Sequence, residues 1–362
     1  MKTYRAAVIG CSRIGGFIDN EVIGREGPSM QPPSSHGGGY FVSGRTDLVA
    51  CSDLREDVME EFGNRYDVPK ASQYTDYREM IEKEQLDIVS VATQPEHRAE
   101  IVIYAAEHGV KAIYAEKALA ASLDEADAMV EAVERNGVAF NMGANRRWSL
   151  HFDKVKEIVD SGELGPMKAI IIYNTSTLYN SGSHAFDTAL RLNGDHPVEW
   201  VQGNLPDDSV VEGDTLLDDP VGEGIIRFAN GVTCYALDTG LGGSYQVVCE
   251  NGYITIIDDG EEFDYQGPGP LDSGGRPTIV AREFPEVKAV STVINIVEDL
   301  AHALDTGEPT RGGIRVARAS LEMSFAIIQS HLGGGRRVEL PLERRNLTLN
   351  RARAPRQPRY EV

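Results

Sequence analysis

Cysteine is scarce in this chain: four occur in 362 residues, and none forms a CxxC pair. That spacing leaves zinc and dithiol-redox readings without support, so no metal site is expected. Cys11, Cys51, Cys234 and Cys249 fall in or beside strand-like runs and read as buried, reduced thiols. Positive charge is short as well. Lys and Arg number 35 against 56 Asp and Glu, a formal net charge of −21. Such a surface repels phosphate backbones and anionic bilayers, which argues against nucleic-acid and membrane partners. Long apolar runs are missing. No stretch reaches the roughly 18 residues that a spanning helix needs, and the short N-terminal apolar run has no signal-peptide cleavage pattern. A cytoplasmic protein is expected.

Apolar residues nevertheless make up 41% of the chain, enough for a sizeable core without disulfide staples. The length suggests two domains at roughly 100–200 residues each. The first 145 residues alternate strand-like and helix-like segments. Strands are expected at 4–9, 48–52, 88–92, 111–115 and 138–142, all continuous apolar runs of the kind covered on both faces. Helices are expected at 56–65, 77–84, 96–107 and 123–135, with Thr75 and Ser122 as N-caps and Gly109 and Gly137 as stops. This alternation is that of a doubly wound parallel sheet.

Beyond residue 145 the pattern changes. Helices at 152–160 and 184–191 flank a strand, and a succession of strand-like runs fills 198–258. Asn230-Gly231 and Asn251-Gly252 mark hairpins between them. This stretch reads as an α+β domain with a large, open, mostly antiparallel sheet. Two helices close it, at about 290–304 and 313–332. The expected organisation is therefore 1–145, 146–335 and a basic tail, 336–362, read either as an arm reaching a neighbouring subunit or as a flexible end. Residues 24–39 hold eleven Gly, Pro or Ser in sixteen positions and read as one inserted loop, with His36 as a solvated loop histidine.

Directly after the first strand comes Gly10-Cys11-Ser12-Arg13-Ile14-Gly15-Gly16. This is a dinucleotide-binding glycine turn with Ser12 at the middle glycine position. Gly10 serves the tight turn, Gly15 the close helix–strand packing, and the helix-start N–H groups face a pyrophosphate. Asp53 ends the second strand, where a carboxylate binds ribose hydroxyls and repels a 2′-phosphate, which favours NAD over NADP. Its distance of 38 residues from Gly15 is explained by the inserted loop. Arg55 is the counter-signal, a group suited to a 2′-phosphate. Thr93, Pro95 and His97, in the segment Ala92-Thr93-Gln94-Pro95-Glu96-His97, follow a strand end and are placed to line the same crevice; His97 reads equally as the start of a helix.

The strand VKAIYA runs into Glu116-Lys117-Ala118-Leu119-Ala120, and further on come Asn145-Arg146-Arg147-Trp148 and Asn180-Ser181-Gly182-Ser183-His184-Ala185-Phe186-Asp187. In this order and spacing the chain resembles the glucose-fructose oxidoreductase / inositol dehydrogenase / MocA family. Ala118 stands where that family usually has proline, and Asn180 where its dehydrogenases commonly have Asp. The resemblance implies a Rossmann domain joined to an open-sheet substrate domain. It also implies that Glu116 and Lys117 border the cofactor, that Lys117 binds the hydroxyl being oxidised and that His184 takes its proton. Asp187 would orient the imidazole or serve packing. Arg146 and Arg147 are candidates for an anionic substrate group, Trp148 and Tyr179 for stacking on a sugar, and Asn174, Tyr173 and Asn180 for hydrogen bonds.

The expected activity is NAD-dependent oxidation of a sugar, polyol or glycoside hydroxyl. The alternative is a redox-neutral NAD-dependent glycosidase that oxidises, eliminates, hydrates and re-reduces, with Tyr179, His151 or His36 as its extra acid or base. A non-catalytic nucleotide sensor is the third reading, opposed by the presence of both Lys117 and His184. A homodimer or homotetramer is expected, because the open sheet needs covering.

Overall fold

A computed structural model describes residues 2–24, 27, 30–239, 242–351 and 357–361. Residues 25, 26, 28 and 29 of the expected loop, Gly240 at the end of one strand-like run, and 352–356 and 362 of the tail lie outside the described residues.

The first sheet holds β1 (Tyr4–Ile9), β2 (Thr46–Ser52), β3 (Gln73–Tyr74), β4 (Ile88–Val91), β5 (Ala112–Ala115) and β6 (Ala139–Met142). They run in the order β3-β2-β1-β4-β5-β6, every pairing parallel. β4 and β5 are buried at every position, as their unbroken apolar sequences require for strands covered on both faces. The crossovers carry α1 (Asp19–Val22), α2 (His36–Val42), α3 (Glu56–Tyr66), α4 (Tyr77–Glu84), α5 (Pro95–Glu107) and α6 (Leu123–Arg135). Ser122 caps α6 by accepting from the Glu125 amide at 3.2 Å. Asp76, not Thr75, caps α4, accepting from the Arg78 amide at 2.9 Å.

The second sheet is nine-stranded and sets the site's other wall. α7 (Leu150–Asp160), β7 (Met167–Ile172), α8 (Gly182–Leu192), β8 (Val198–Asn204), the short pair β9 (Val211–Glu212) and β10 (Thr215–Leu216), β11 (Glu223–Phe228), β12 (Thr233–Ala236), β13 (Tyr245–Cys249), β14 (Gly252–Ile257), β15 (Glu262–Pro268) and β16 (Ile279–Arg282) follow one another. After them come α9 (Thr292–Thr306), α10 (Ile314–Leu332), β17 (Val338–Glu339) and β18 (Thr348–Leu349). The large sheet runs β16-β15-β14-β13-β7-β12-β11-β8-β17, antiparallel except for β7 beside β12. Its strands alternate buried and half-exposed residues, BiBiB in β13, so one face packs inward and the other is left open. Both Asn-Gly dipeptides lie at hairpins, β11–β12 and β13–β14.

Three features differ from the sequence expectation. The segment 24–39 is not one loop: it ends at Ser35, which caps α2, and His36 opens that helix fully buried. The excursion thus interrupts the helix that follows the glycine turn. Its return is pinned where Asp19 accepts from the amides of Ser34 and Ser35 at 2.5 and 3.2 Å. Second, α9 lies beyond β16 in the chain but packs on the first sheet, with Val293, Ile296, Val297 and Leu300 against Tyr4, Tyr40 and Leu48. Third, the described part of the tail docks on its own chain. β17 pairs with β8 and β18 with β10, Arg351 reaches Glu96 at 2.8 Å, and Tyr360 packs edge-on to Phe17 at 4.9 Å.

The Gly37–Gly39 run makes the α2–α9 packing possible. A Cβ on Gly39 would stand 2.4 Å from Cγ1 of Val293. Gly39→Ala is therefore expected to lose about 1–3 kcal/mol through overpacking, and Val293→Ala in the same chain to restore much of it; denaturant midpoints of the single and double variants check this.

Candidate active site

The C-terminal ends of β1, β2, β4 and β5 converge on one edge of the first sheet, where ligands of doubly wound folds bind. Gly10 leaves β1 with φ +90°, a conformation L side chains rarely adopt. A Cβ on Gly15 would stand 1.9 Å from the Gly10 carbonyl, so both glycines are fixed by the turn itself. Past it the chain winds as a short π-helix, Arg13–Phe17, leaving the N–H groups around Ser12, Arg13 and Ile14 at its open start.

Asp53 completes this end. Its carboxylate accepts from the Cys11 amide at 2.8 Å and from the Arg55 amide at 2.9 Å. Burial raises its pKa against those two hydrogen bonds. Arg55 is engaged elsewhere: its guanidinium donates to Asp57 at 3.1 Å and to Gln357 of the tail. Beside them Leu54 is 90% exposed, an apolar side chain offered at the same edge. On the β4 side, Thr93 has a buried hydroxyl without a hydrogen-bond partner. Pro95 begins α5, and His97 lies exposed in its first turn, so His97 fits the helix-start reading. A positive-φ glycine turn with open N–H groups, a strand-end carboxylate and an orphaned hydroxyl at one sheet edge fit a dinucleotide, whose pyrophosphate takes N–H donors and whose ribose hydroxyls take an acceptor.

Glu116 and Lys117 leave β5 at the adjoining position, and the Lys117–Ala118 peptide is cis. Arg98 of α5, fully buried, donates to the carbonyls of Ala118 and Thr93 and so ties the two loops together. Burial pushes its pKa down to about 10. Lys117 Nζ donates to Asn180 Oδ1 at 2.6 Å and to the Asn180 carbonyl at 3.2 Å. Asn180 is held in turn by Asp219, which accepts from the amides of Tyr179 and Asn180 at 2.8 and 2.9 Å. Lys117 of the first sheet thus meets the segment that leads into α8.

His184 sits in the first turn of α8 with Nδ1 buried and unpartnered. Burial, followed by the positive charges of Lys117 and Arg146, holds its pKa well below the usual imidazole value. Burial lowers the Lys117 pKa, and the charges of Arg98 and Arg146 act with it against that of Asp219. Arg146 is fixed by two contacts to Asp259, at 2.6 and 2.7 Å. Asn174 bridges to Asp238 and keeps a buried, unpartnered Oδ1; the Tyr173 hydroxyl reaches Gln246 at 3.5 Å.

Three nominated substrate contacts are corrected by burial. Arg147 is a structural ion: it binds Asp187 at 2.9 Å and Asp195 at 2.8 Å with 1% of its side chain exposed. Burial acts against its charge and the two carboxylates overcome it, raising its pKa. Asp187 therefore serves Arg147 and does not orient His184. Trp148 is fully buried in the core with α9. Tyr179 is 1% exposed, packed edge-on to Phe325, its hydroxyl 3.4 Å from the Ala121 carbonyl. His36 is not solvated: Nδ1 lies 2.9 Å from Ser90 Oγ and Nε2 3.1 Å from Glu116 Oε1. Sequence reasoning missed Arg98, Asp219 and Asp259, and of these only the Asp218-Asp219-Pro220 turn carried a local signal.

Fold and site together describe a dinucleotide-binding protein with a second, open-sheet domain. Residues 4–144, the first-sheet domain, match the family model GFO_IDH_MocA, described as an oxidoreductase family with an NAD-binding Rossmann fold, and this part of the chain is similar to that family. It is 27% identical over 197 residues to a myo-inositol 2-dehydrogenase of Thermotoga maritima, 51% of this chain and 58% of that protein. To a D-apiose dehydrogenase of Paraburkholderia graminis it is 35% identical over 120 residues, 33% of this chain and 31% of that protein. The chain thus spans from under a third to just over half of these relatives' lengths. The solved aldose-aldose oxidoreductase of Caulobacter crescentus, complexed with glycerol, shares the fold with TM-score 0.73 at 18% identity, over 94% of this chain and all of that one.

Removing the Arg147 side chain would strand the buried Asp187 carboxylate in the core and release the half-exposed Asp195. Arg147→Ala is expected to cost about 3–5 kcal/mol of stability, read by urea unfolding. A variant that kept its stability but lost only substrate affinity would return Arg147 to the binding site.

Proposed function

We propose that this chain is an NAD-dependent dehydrogenase that oxidises a hydroxyl of a sugar, polyol or glycoside. One observation carries the reading: Lys117, which leaves β5 beside the glycine turn, is near enough for its charge to lower the pKa of His184, whose buried Nδ1 is unpartnered. NAD bound there would supply the hydride acceptor. Lys117 donates to the substrate hydroxyl oxygen and stabilises the negative charge that grows on it. His184, kept neutral, takes the hydroxyl proton at a ring nitrogen. Asn180 holds the lysine in reach, and Asn174 lies on the same wall as a substrate hydrogen-bonding group. Arg146, locked to Asp259, contributes positive potential and is not the ligand of an anionic substrate.

Cofactor choice follows from Asp53. A carboxylate oriented by two amides suits free ribose hydroxyls and repels a 2′-phosphate, and Arg55 is turned toward Asp57 and Gln357. The named activities of the relatives, on myo-inositol and D-apiose, support the substrate class. The redox-neutral glycosidase reading needs an extra acid or base. Of its three nominees, Tyr179 and His151 are buried, His151 stacked on Phe263, and His36 is paired at both nitrogens. That favours net oxidation. The half-exposed apolar row Ile171, Ile225, Tyr235 and Val248 on the open sheet supports a homodimer or homotetramer.

The test is a panel of sugars, polyols and aryl glycosides with NAD, following NADH and aglycone together. NADH accumulating in step with substrate loss is expected; NAD-requiring aglycone release without net NADH would establish the glycosidase instead. With a substrate in hand, Lys117→Met should lower kcat about 100- to 1,000-fold. The base must be unprotonated, so the rate falls as pH drops through the His184 pKa, and that limb should lie below pH 6.5. Asp53→Ala should shrink the preference for NAD over NADP, measured as the ratio of the two kcat/KM values.

A further inference from the structure

We propose that His36 is a positioning residue that cancels the charge Glu116 would otherwise place beside Lys117. The inference rests on the reading of Lys117 as a catalytic residue. Its basis is a proton count in a closed chain of hydrogen bonds. Ser90 Oγ donates its only proton to the Tyr40 hydroxyl, 2.8 Å away. Toward His36 it is therefore an acceptor, and Nδ1, at 2.9 Å, carries a proton. The 3.1 Å contact between Nε2 and Glu116 Oε1 needs one further proton between two acceptors. Whether that proton sits on nitrogen, as imidazolium and carboxylate, or on oxygen, as imidazole and carboxylic acid, the pair sums to zero.

The surroundings hold the pair in place. His36 is fully buried and stacks on the Tyr114 ring at 3.8 Å. The other carboxylate oxygen of Glu116 accepts from the Lys117 amide at 3.2 Å. A Cβ on Gly143 would stand 2.7 Å from Oε1, so the glycine leaves room for the carboxylate. The groups facing the pair are Tyr40 of α2, Ser90 of β4, Tyr114 of β5, Arg98 of α5 and Lys117 itself. Burial raises the Glu116 pKa, and the His36 hydrogen bond with the charges of His36, Lys117 and Arg98 overcomes it. Ser35 caps α2 so that this histidine starts the helix with its ring against Glu116.

Two variants separate charge cancellation from packing. His36→Gln keeps an amide donor for Glu116 but brings no proton, which leaves a full negative charge beside Lys117. Glu116→Gln removes the carboxylate and leaves His36 neutral, so the sum stays zero. The readout is the pH midpoint of Lys117 acetylation by trace acetic anhydride, followed by mass spectrometry of the Lys117 peptide in the full-length protein; it needs no substrate. His36→Gln should raise the midpoint by about one pH unit, and Glu116→Gln should leave it in place. An unmoved midpoint in His36→Gln overturns the proposal. So does a drop in Glu116→Gln as large as one unit, because Glu116 would then act as an uncancelled charge in the native protein. Should His36→Gln fail to fold, Ser90→Ala removes the Nδ1 acceptor and should move the midpoint upward in the same sense; no movement there is equally fatal. If the midpoint shifts as expected but Lys117→Met turns over substrate normally, the cancellation stands and the catalytic role of Lys117 falls, so the two failures are distinct.

Discussion

Two basic side chains confined to one partly dehydrated crevice do not both keep a proton. In water lysine outlasts histidine by about four pH units, so when Lys117 and His184 share the site the lysine retains the charge and the imidazole gives it up. Burial is the larger push on His184, and the charges of Lys117 and Arg146 add to it. Under the proposed function, the division of labour at the site follows from this constraint: a cation to stabilise oxygen charge and a neutral base to take a proton. The surrounding structure maintains it. Asn180 holds Lys117, Asp219 holds Asn180, and Asp259 fixes Arg146. His36 pairs with Glu116, the lysine's immediate neighbour.

Much of the fold was legible because its signals are local. Five of the six parallel strands announce themselves as apolar runs, since strands covered on both faces have no polar side to show, whereas the two-residue edge strand β3, Gln73–Tyr74, carries no such run. Ser122 caps the helix expected of it, and both Asn-Gly dipeptides lie at hairpins. The glycine turn and Asp53 were readable for the same reason: a positive φ and a strand-end carboxylate are requirements of single positions. Lys117 and Asn180 were named from their motifs, and the 2.6 Å contact between them joins the two sheets.

What was not legible depends on partners far along the chain. Arg146-Arg147-Trp148 looks like a substrate-facing cluster, but Arg147 is claimed by carboxylates 40 and 48 residues away and Trp148 by α9. The three neighbours point in different directions on a short 3-10 turn, which adjacency in sequence conceals. His36 lies in a Gly-, Pro- and Ser-rich stretch that reads as solvent-exposed. It is buried because Glu116, 80 residues on, and Ser90 take both of its ring nitrogens. The tail gives no periodic signal because it binds by scattered contacts, Arg351 to Glu96 and Arg55 to Gln357, and not by an amphipathic face.

At the centre of the site, His184 is kept neutral by burial and, next to that, by the charge of Lys117. The most direct measurement is an NMR titration of the His184 imidazole in the full-length protein and in Lys117→Met, without substrate. The account predicts a midpoint well below 6.5 in the native chain and a clear rise toward it when the lysine charge is removed. A native midpoint at or above 6.5, or one that Lys117→Met leaves unmoved, would contradict it.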